Sequence, residues 1–278
     1  EAMRPGSKSP LASRARHDLG RFGLGLKTAS FSQCRRVTVI TRKSGSTCCA
    51  IWDLDKVAET DKWVVELPEL FDAIRWSDRL GSRGTLVVCE KLDRLVGPDL
   101  GDSRLHLTRQ LNETATHLEL VFHRFLEGER GISKLSMFMN GRPLEPFDPF
   151  NSRHPATNRD PEGVFQLDGK EIRIQPFTLP HHNKVSQAEW SRFAGAEGYV
   201  KNQGFYLFNL ARQTELTKLS RVRIDMPNGM DSEWKIDVKK ASAQPPGPVR
   251  DRLKRLIDRL GASSRRTFVA RGRRLVDD

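Results

Sequence analysis

The segment Gly20-Arg21-Phe22-Gly23-Leu24-Gly25-Leu26-Lys27-Thr28 constrains this chain more than any other. Three glycines stand within six positions, and helical character follows through Gln33. Glycine lets a backbone come close to a ligand, and the free N–H groups of a first helical turn suit phosphate oxygens. Lys27 and Thr28, one turn in, add a charge and a hydroxyl. Glycines also cap and pack helices, so spacing alone leaves a phosphate reading and a structural reading side by side. Two common phosphate folds are excluded. A P-loop places lysine directly after its last glycine, whereas Leu26 follows Gly25. P-loops and dinucleotide fingerprints also need a strand just before them and a parallel crossover after. Here a Ser-, Arg- and Pro-rich stretch, residues 1 to 18, precedes the glycines and an antiparallel hairpin follows.

The hairpin is predicted from the β-branched run Arg36 to Arg42, the turn Ser44-Gly45-Ser46 and a returning strand Thr47 to Leu54. Further strands are predicted at Trp63 to Glu66 and at Gly84 to Glu90, and an amphipathic helix at Leu105 to Leu126. A second domain is expected from about Gly131. It opens on a strand at Leu135 to Met139, an Asn140-Gly141 turn and the return Arg142-Pro143-Leu144, followed by a Pro- and Asn-rich loop, Phe147 to Pro161. Strands follow at Glu171 to Leu179 with period-two alternation, at Gln203 to Phe208 and at Arg221 to Asp225, then an amphipathic helix at Pro248 to Leu260. After Phe208 a hairpin partner is expected, yet Asn209-Leu210-Ala211-Arg212 has a helix-like composition, the pattern that missing residues would leave. The expected division is 1–130, 131–262 and a basic tail, 263–278.

The 278 residues are 37% apolar and 29% charged, which describes a surface-rich folded protein. The longest apolar runs, such as Thr85 to Cys89, are far too short to span a bilayer. No apolar stretch follows Glu1-Ala2-Met3, so no secretory leader is expected. Cys34, Cys48, Cys49 and Cys89 have neither zinc-like nor redox spacing and read as reduced residues of a cytoplasmic protein. His181-His182 lie on a loop without a neighbouring Cys or carboxylate at ligand spacing, so no metal site is expected there. The five tryptophans are scattered singly, as core or interface anchors. The net charge of +12 is densest from Arg250 to Arg274, either a nucleic-acid contact or a solvated helix face.

The order of elements resembles the later half of the GHKL ATPases, which include gyrase, the large heat-shock chaperone, MutL, histidine kinases and the MORC proteins. Leu19 to Ser30 looks like the motif that closes the ATP lid, nearest to its MORC and chaperone versions. Gly84-Thr85 resembles the later glycine-threonine motif. The resemblance implies an α+β fold: a two-layer α/β sandwich followed by a transducer-like domain. It implies ATP at Gly20, Arg21, Phe22, Gly23, Leu24, Gly25, Leu26, Lys27, Thr28 and Thr85, with Ser7 and Lys8 in the lid. Ile236 to Gln244 looks like the transducer segment, making Lys240, with Lys239 as the alternative, the basic residue sent to the terminal phosphate. The family's general base, Mg2+-holding asparagine and adenine-reading aspartate lie in motifs upstream of the lid, and Glu1 fits none of these roles. Residues 1 to 278 alone are therefore expected not to hydrolyse ATP.

Two functions follow. One is an ATP-binding, ATP-hydrolysing switch that dimerises on binding and acts on DNA, RNA or a protein partner. The other is a catalytically inactive scaffold contacting nucleic acid or protein. Neither needs a membrane. A histidine kinase fits less well, because no phosphoacceptor-histidine helix is present.

Overall fold

The computed structural model describes residues 25–69, 76–93, 103–195, 198–208, 210–211, 219–227, 230, 233–234 and 244–269. They form mixed helices and sheets, as expected. Two compact units divide between Glu113 and Thr114, ahead of the boundary expected near Gly131.

In the first unit, α1 (Gly25–Phe31) leads into β1 (Arg36–Lys43) and β2 (Ser46–Asp53). Lys43 pairs with Ser46, so the turn has only two central residues, Ser44 at φ 52° and Gly45 at φ 79°. Positive φ at both centres matches the right-handed twist of the strands, which is why a small polar residue and glycine stand there. β1 is central, with β2 on one side and β3 (Gly84–Glu90) on the other, all antiparallel. Asp53 ends β2 and caps α2 (Leu54–Thr60), accepting from the Asp55 N–H at 3.0 Å and from Lys91 Nζ at 2.9 Å. Burial pushes the Asp53 carboxyl up, but the Lys91 and Asp55 hydrogen bonds outweigh it and hold the group below the usual carboxylate range.

The strand expected at Trp63 to Glu66 reduces to one bridge, Glu66 with Ile51. An antiparallel ladder would next use the N–H two residues on, and that residue is Pro68, which has none. Two tryptophans also depart from expectation. Trp52 and Trp234 are buried, but Trp63 is 68% exposed and Trp76 38% exposed.

The unit boundary falls inside α3 (Ser103–Val121), and α4 (His123–Glu127) follows after a break at Phe122. One continuous helix was expected. At the break His123 Nδ1 lies 2.7 Å from the Leu120 carbonyl, which can only accept, so this nitrogen carries the proton. The ring is buried, and desolvation holds its pKa below the ordinary histidine value. Acid therefore favours the unfolded chain. This contribution to stability is complete above about pH 6.5 and is lost as pH falls below it. The urea midpoint of the protein is expected to drop between neutral and mildly acid pH, and His123→Gln to flatten that drop; identical pH slopes for both proteins would count against it.

The second unit continues with β4 (Phe138–Met139) and β5 (Arg142–Pro143) across the expected Asn140-Gly141 turn. Then come β6 (Asn158–Arg159), β7 (Gly163–Leu167), β8 (Lys170–Thr178), α5 (Gln187–Ala194), α6 (Gly198–Lys201), β9 (Gly204–Phe208), β10 (Leu210–Ala211), β11 (Ser220–Asp225) and α7 (Gly247–Val269). The sheet order is β10-β9-β11-β8-β6, with β7 also paired to β8. Leu210 pairs with Leu207 and Ala211 with Tyr206, so the helix-like reading after Phe208 is corrected: the return strand is present within the continuous chain.

Both faces of this sheet are covered. On one, Ile172, Ile174, Phe205, Val222 and Ile224 pack with Met226, Met230 and Trp234 and with Val249 and Leu253 of α7. On the other, Phe177 and Tyr206 pack with Phe150. Ile174 to Thr178 is consequently buried at every position, and the alternation expected along β8 survives only at its start.

Candidate functional site

In α1 the residues Lys27, Ser30 and Phe31, with Cys34 beyond the helix end, recur at helical spacing. Lys27 is 7% exposed and Ser30 8%, whereas Gly25, Leu26 and Thr28 are exposed. The Phe31 ring stands 5.5 Å from that of Trp52 on β2. The Cys34 thiol donates to the Ser30 carbonyl at 3.1 Å, and burial, reinforced by Cys89 beside it, pushes its pKa up to about 12. This thiol is inert and closes the helix onto the sheet. Lysine is seldom so buried without a partner, and Lys27 and Thr28 each have one.

Strand register shows which face α1 covers. Residues directly opposite each other share a face, and so do alternate residues along a strand. Val37 stands opposite both Trp52 and Cys89, and Thr41 stands opposite Thr85. Phe31 packs on Trp52, so α1 and Thr85 share one side of the sheet. Thr85 is exposed there, its hydroxyl 3.0 Å from that of Thr41. Thr41 also donates to the Gly84 carbonyl at 3.3 Å. Gly84 has φ 149°, a conformation that L side chains rarely adopt, so glycine before this threonine is required by the backbone. Thr41 was not among the expected site residues, although its position on the same face follows once the hairpin register is known.

The arrangement offers a glycine helix start and a pair of hydroxyls on one sheet face. These neutral donors fit phosphate oxygens. Of the expected site residues, Gly20 to Leu24, Ser7, Lys8, Lys239 and Lys240 lie outside the described residues, as does the end of the basic stretch from residue 270 on. Among the described residues no group of three or more His, Cys, Asp or Glu is placed to hold a metal.

Residues 1–82 match the family described as histidine kinase-, DNA gyrase B- and HSP90-like ATPase. The match contains the whole glycine segment and α1 and ends just before Thr85. No curated protein matches the chain. The family match supports the GHKL superfamily and ATP binding for this part of the chain. Among the described residues no helix is long and apolar enough to cross a membrane.

Proposed function

We propose that the protein is an ATP-driven conformational switch of the GHKL type, nearest to the MORC-like and chaperone-like branches. It dimerises on binding ATP and transmits the change to a partner. The observation that carries this reading is the family match over the glycine segment, with the matched helix and Thr85 on one face of the first sheet. The terminal phosphates lie against Gly20 to Thr28, where the N–H groups of the helix start meet negative charge. The hydroxyls of Thr85 and Thr41 take oxygens from the sheet side. Magnesium, when bound, neutralises phosphate charge, and its ligand belongs to the motif that the resemblance places upstream of the lid.

Lys240 is assigned to the terminal phosphate on the transducer resemblance alone. An ammonium on a flexible stem suits a phosphate present in one state and absent in the next, and such a contact biases closure only through its difference between states. In the intact protein, Lys240→Ala is expected to leave ADP binding nearly unchanged while weakening ATP-dependent dimerisation and turnover. Equal losses for ADP and ATP would make the lysine structural. An intact protein that binds no ATP would replace the switch with the scaffold.

A further inference from the structure

Helix α7 carries two different surfaces. Val249 is fully buried and Leu253 is 5% exposed in the core of the second unit, with Leu256 and Ile257 packed against it. The remaining positions from Arg250 to Arg259 are all exposed. They hold five cations, Arg250, Arg252, Lys254, Arg255 and Arg259, against Asp251 and Asp258, a net of three positive charges in ten residues. Arg252 is drawn back over the Phe165 ring, 4.9 Å from its centroid, and Arg250 donates to the Pro245 carbonyl at 3.3 Å. None of Lys254, Arg255 and Arg259 forms an ion pair with a described residue.

At 100° per residue the cations fall into two rows. Arg250 and Lys254 line one flank of the outward face, and Arg255 and Arg259 line the other, each pair four residues apart. Asp251 and Asp258 lie between them. The helix has 23 residues, and at about 1.5 Å per residue it is roughly 34 Å long, close to one turn of B-form duplex.

We propose that this outward face of α7 binds the phosphate backbones of duplex nucleic acid without reading base sequence. Two cationic rows on the flanks of one helix match two phosphate strands on the walls of a groove about 12 Å wide, which admits a helix. The central aspartates oppose any close approach to acceptor-rich base edges, so binding is through phosphates. A membrane surface is disfavoured by the same packing. A basic amphipathic helix holds a bilayer through a free apolar face, and from Val249 to Ile257, beneath the cations, that face is committed to the core. An acidic protein is the weaker fit, because between Gly247 and Arg259, where burial is described, α7 carries no exposed large hydrophobic residue to serve as an interface anchor. The inference deepens the switch reading by giving it a partner, yet its test needs no nucleotide.

The experiment measures fluorescence anisotropy of a labelled random-sequence duplex with the 278-residue protein across a salt series. Binding is expected to weaken steeply with salt. The triple variant Lys254→Gln, Arg255→Gln, Arg259→Gln is expected to lower the log–log salt slope by nearly three, which removes on the order of fortyfold of the change between about 50 and 200 mM salt. Circular dichroism and the thermal midpoint show that the variant is folded. A control triple at exposed cations of the first unit, Lys43→Gln, Lys62→Gln, Arg83→Gln, is expected to leave the slope unchanged. Absence of duplex binding at low salt overturns the proposal. So does an equal loss in the control triple, or equal affinity for vesicles of anionic lipid with the same dependence on α7. ATP affinity of the α7 variant, measured separately in the intact protein, stays at the wild-type value. Duplex binding by an intact protein that binds no ATP would strike the switch reading and leave the α7 assignment standing.

Discussion

Gly25→Leu is expected to raise the ATP dissociation constant of the intact protein by about a hundredfold or more, roughly 2.7 kcal/mol, and to leave the fold intact. Two properties of the position make this a clean experiment. A Cβ built on Gly25 meets nothing within 4 Å among the described residues, and its backbone is outside the left-handed region, so the helix itself accepts a side chain there. Leucine is also the better helix former, by up to about 1 kcal/mol. On the proposed reading the phosphates sit at this helix start, and a side chain there would block the first-turn N–H groups. Losing two charge-assisted hydrogen bonds at roughly 1.5–3 kcal/mol each is enough for the predicted effect. Calorimetric titration with ATP, beside a urea unfolding curve, decides the matter. Unchanged affinity in a folded variant removes the glycine segment from the nucleotide site.

Arg221→Ala is expected to cost about 3–5 kcal/mol of stability in the second unit. Arg221 is 2% exposed, and burial pushes its pKa down. It donates through Nη1 to the Pro149 carbonyl and through Nη2 to that of Phe193 at 2.7 Å. The guanidinium carbon also sits 6.0 Å from the ring centroids of both Phe193 and Tyr206. One planar group thus joins the Pro149 loop, α5 and the sheet. Truncation leaves the buried Pro149 carbonyl and the half-buried Phe193 carbonyl without this donor, and a void between aromatic rings. Arg221→Lys is expected to recover little, because a single ammonium lacks the fixed fork of donors that reaches both carbonyls. The urea midpoint should fall with an unchanged slope. A loss below about 1 kcal/mol for the alanine variant would mean that the arginine is not a structural node.

The contrast between these two residues marks where local sequence suffices. Gly25 and its neighbours announce a helix start with a hairpin behind it because the signal is a backbone property: glycines, a helix pattern and turn residues. Arg221 announces nothing, since it sits in an alternating run that reads as a half-exposed strand. Its surroundings are Pro149, Phe193 and Tyr206, and of these only Tyr206 is within twenty residues in sequence.

Turn chemistry and strand composition by themselves determined the β1–β2 hairpin, β3 and the Asn140-Gly141 turn, because two-residue turns and β-branched runs act within a few residues. The same signal is present in Asp168-Gly169, at φ 50° and 72°, which joins β7 to β8. Tertiary structure alone decided what depends on a distant neighbour. β10 became a strand because the edge of β9 stood open to it, overriding a helix-like composition. β8 lost its alternation because cores from both sides closed over it. Only the pairing register, which no local pattern of charge or hydrophobicity encodes, brought Thr41 beside Thr85 on the face that α1 covers.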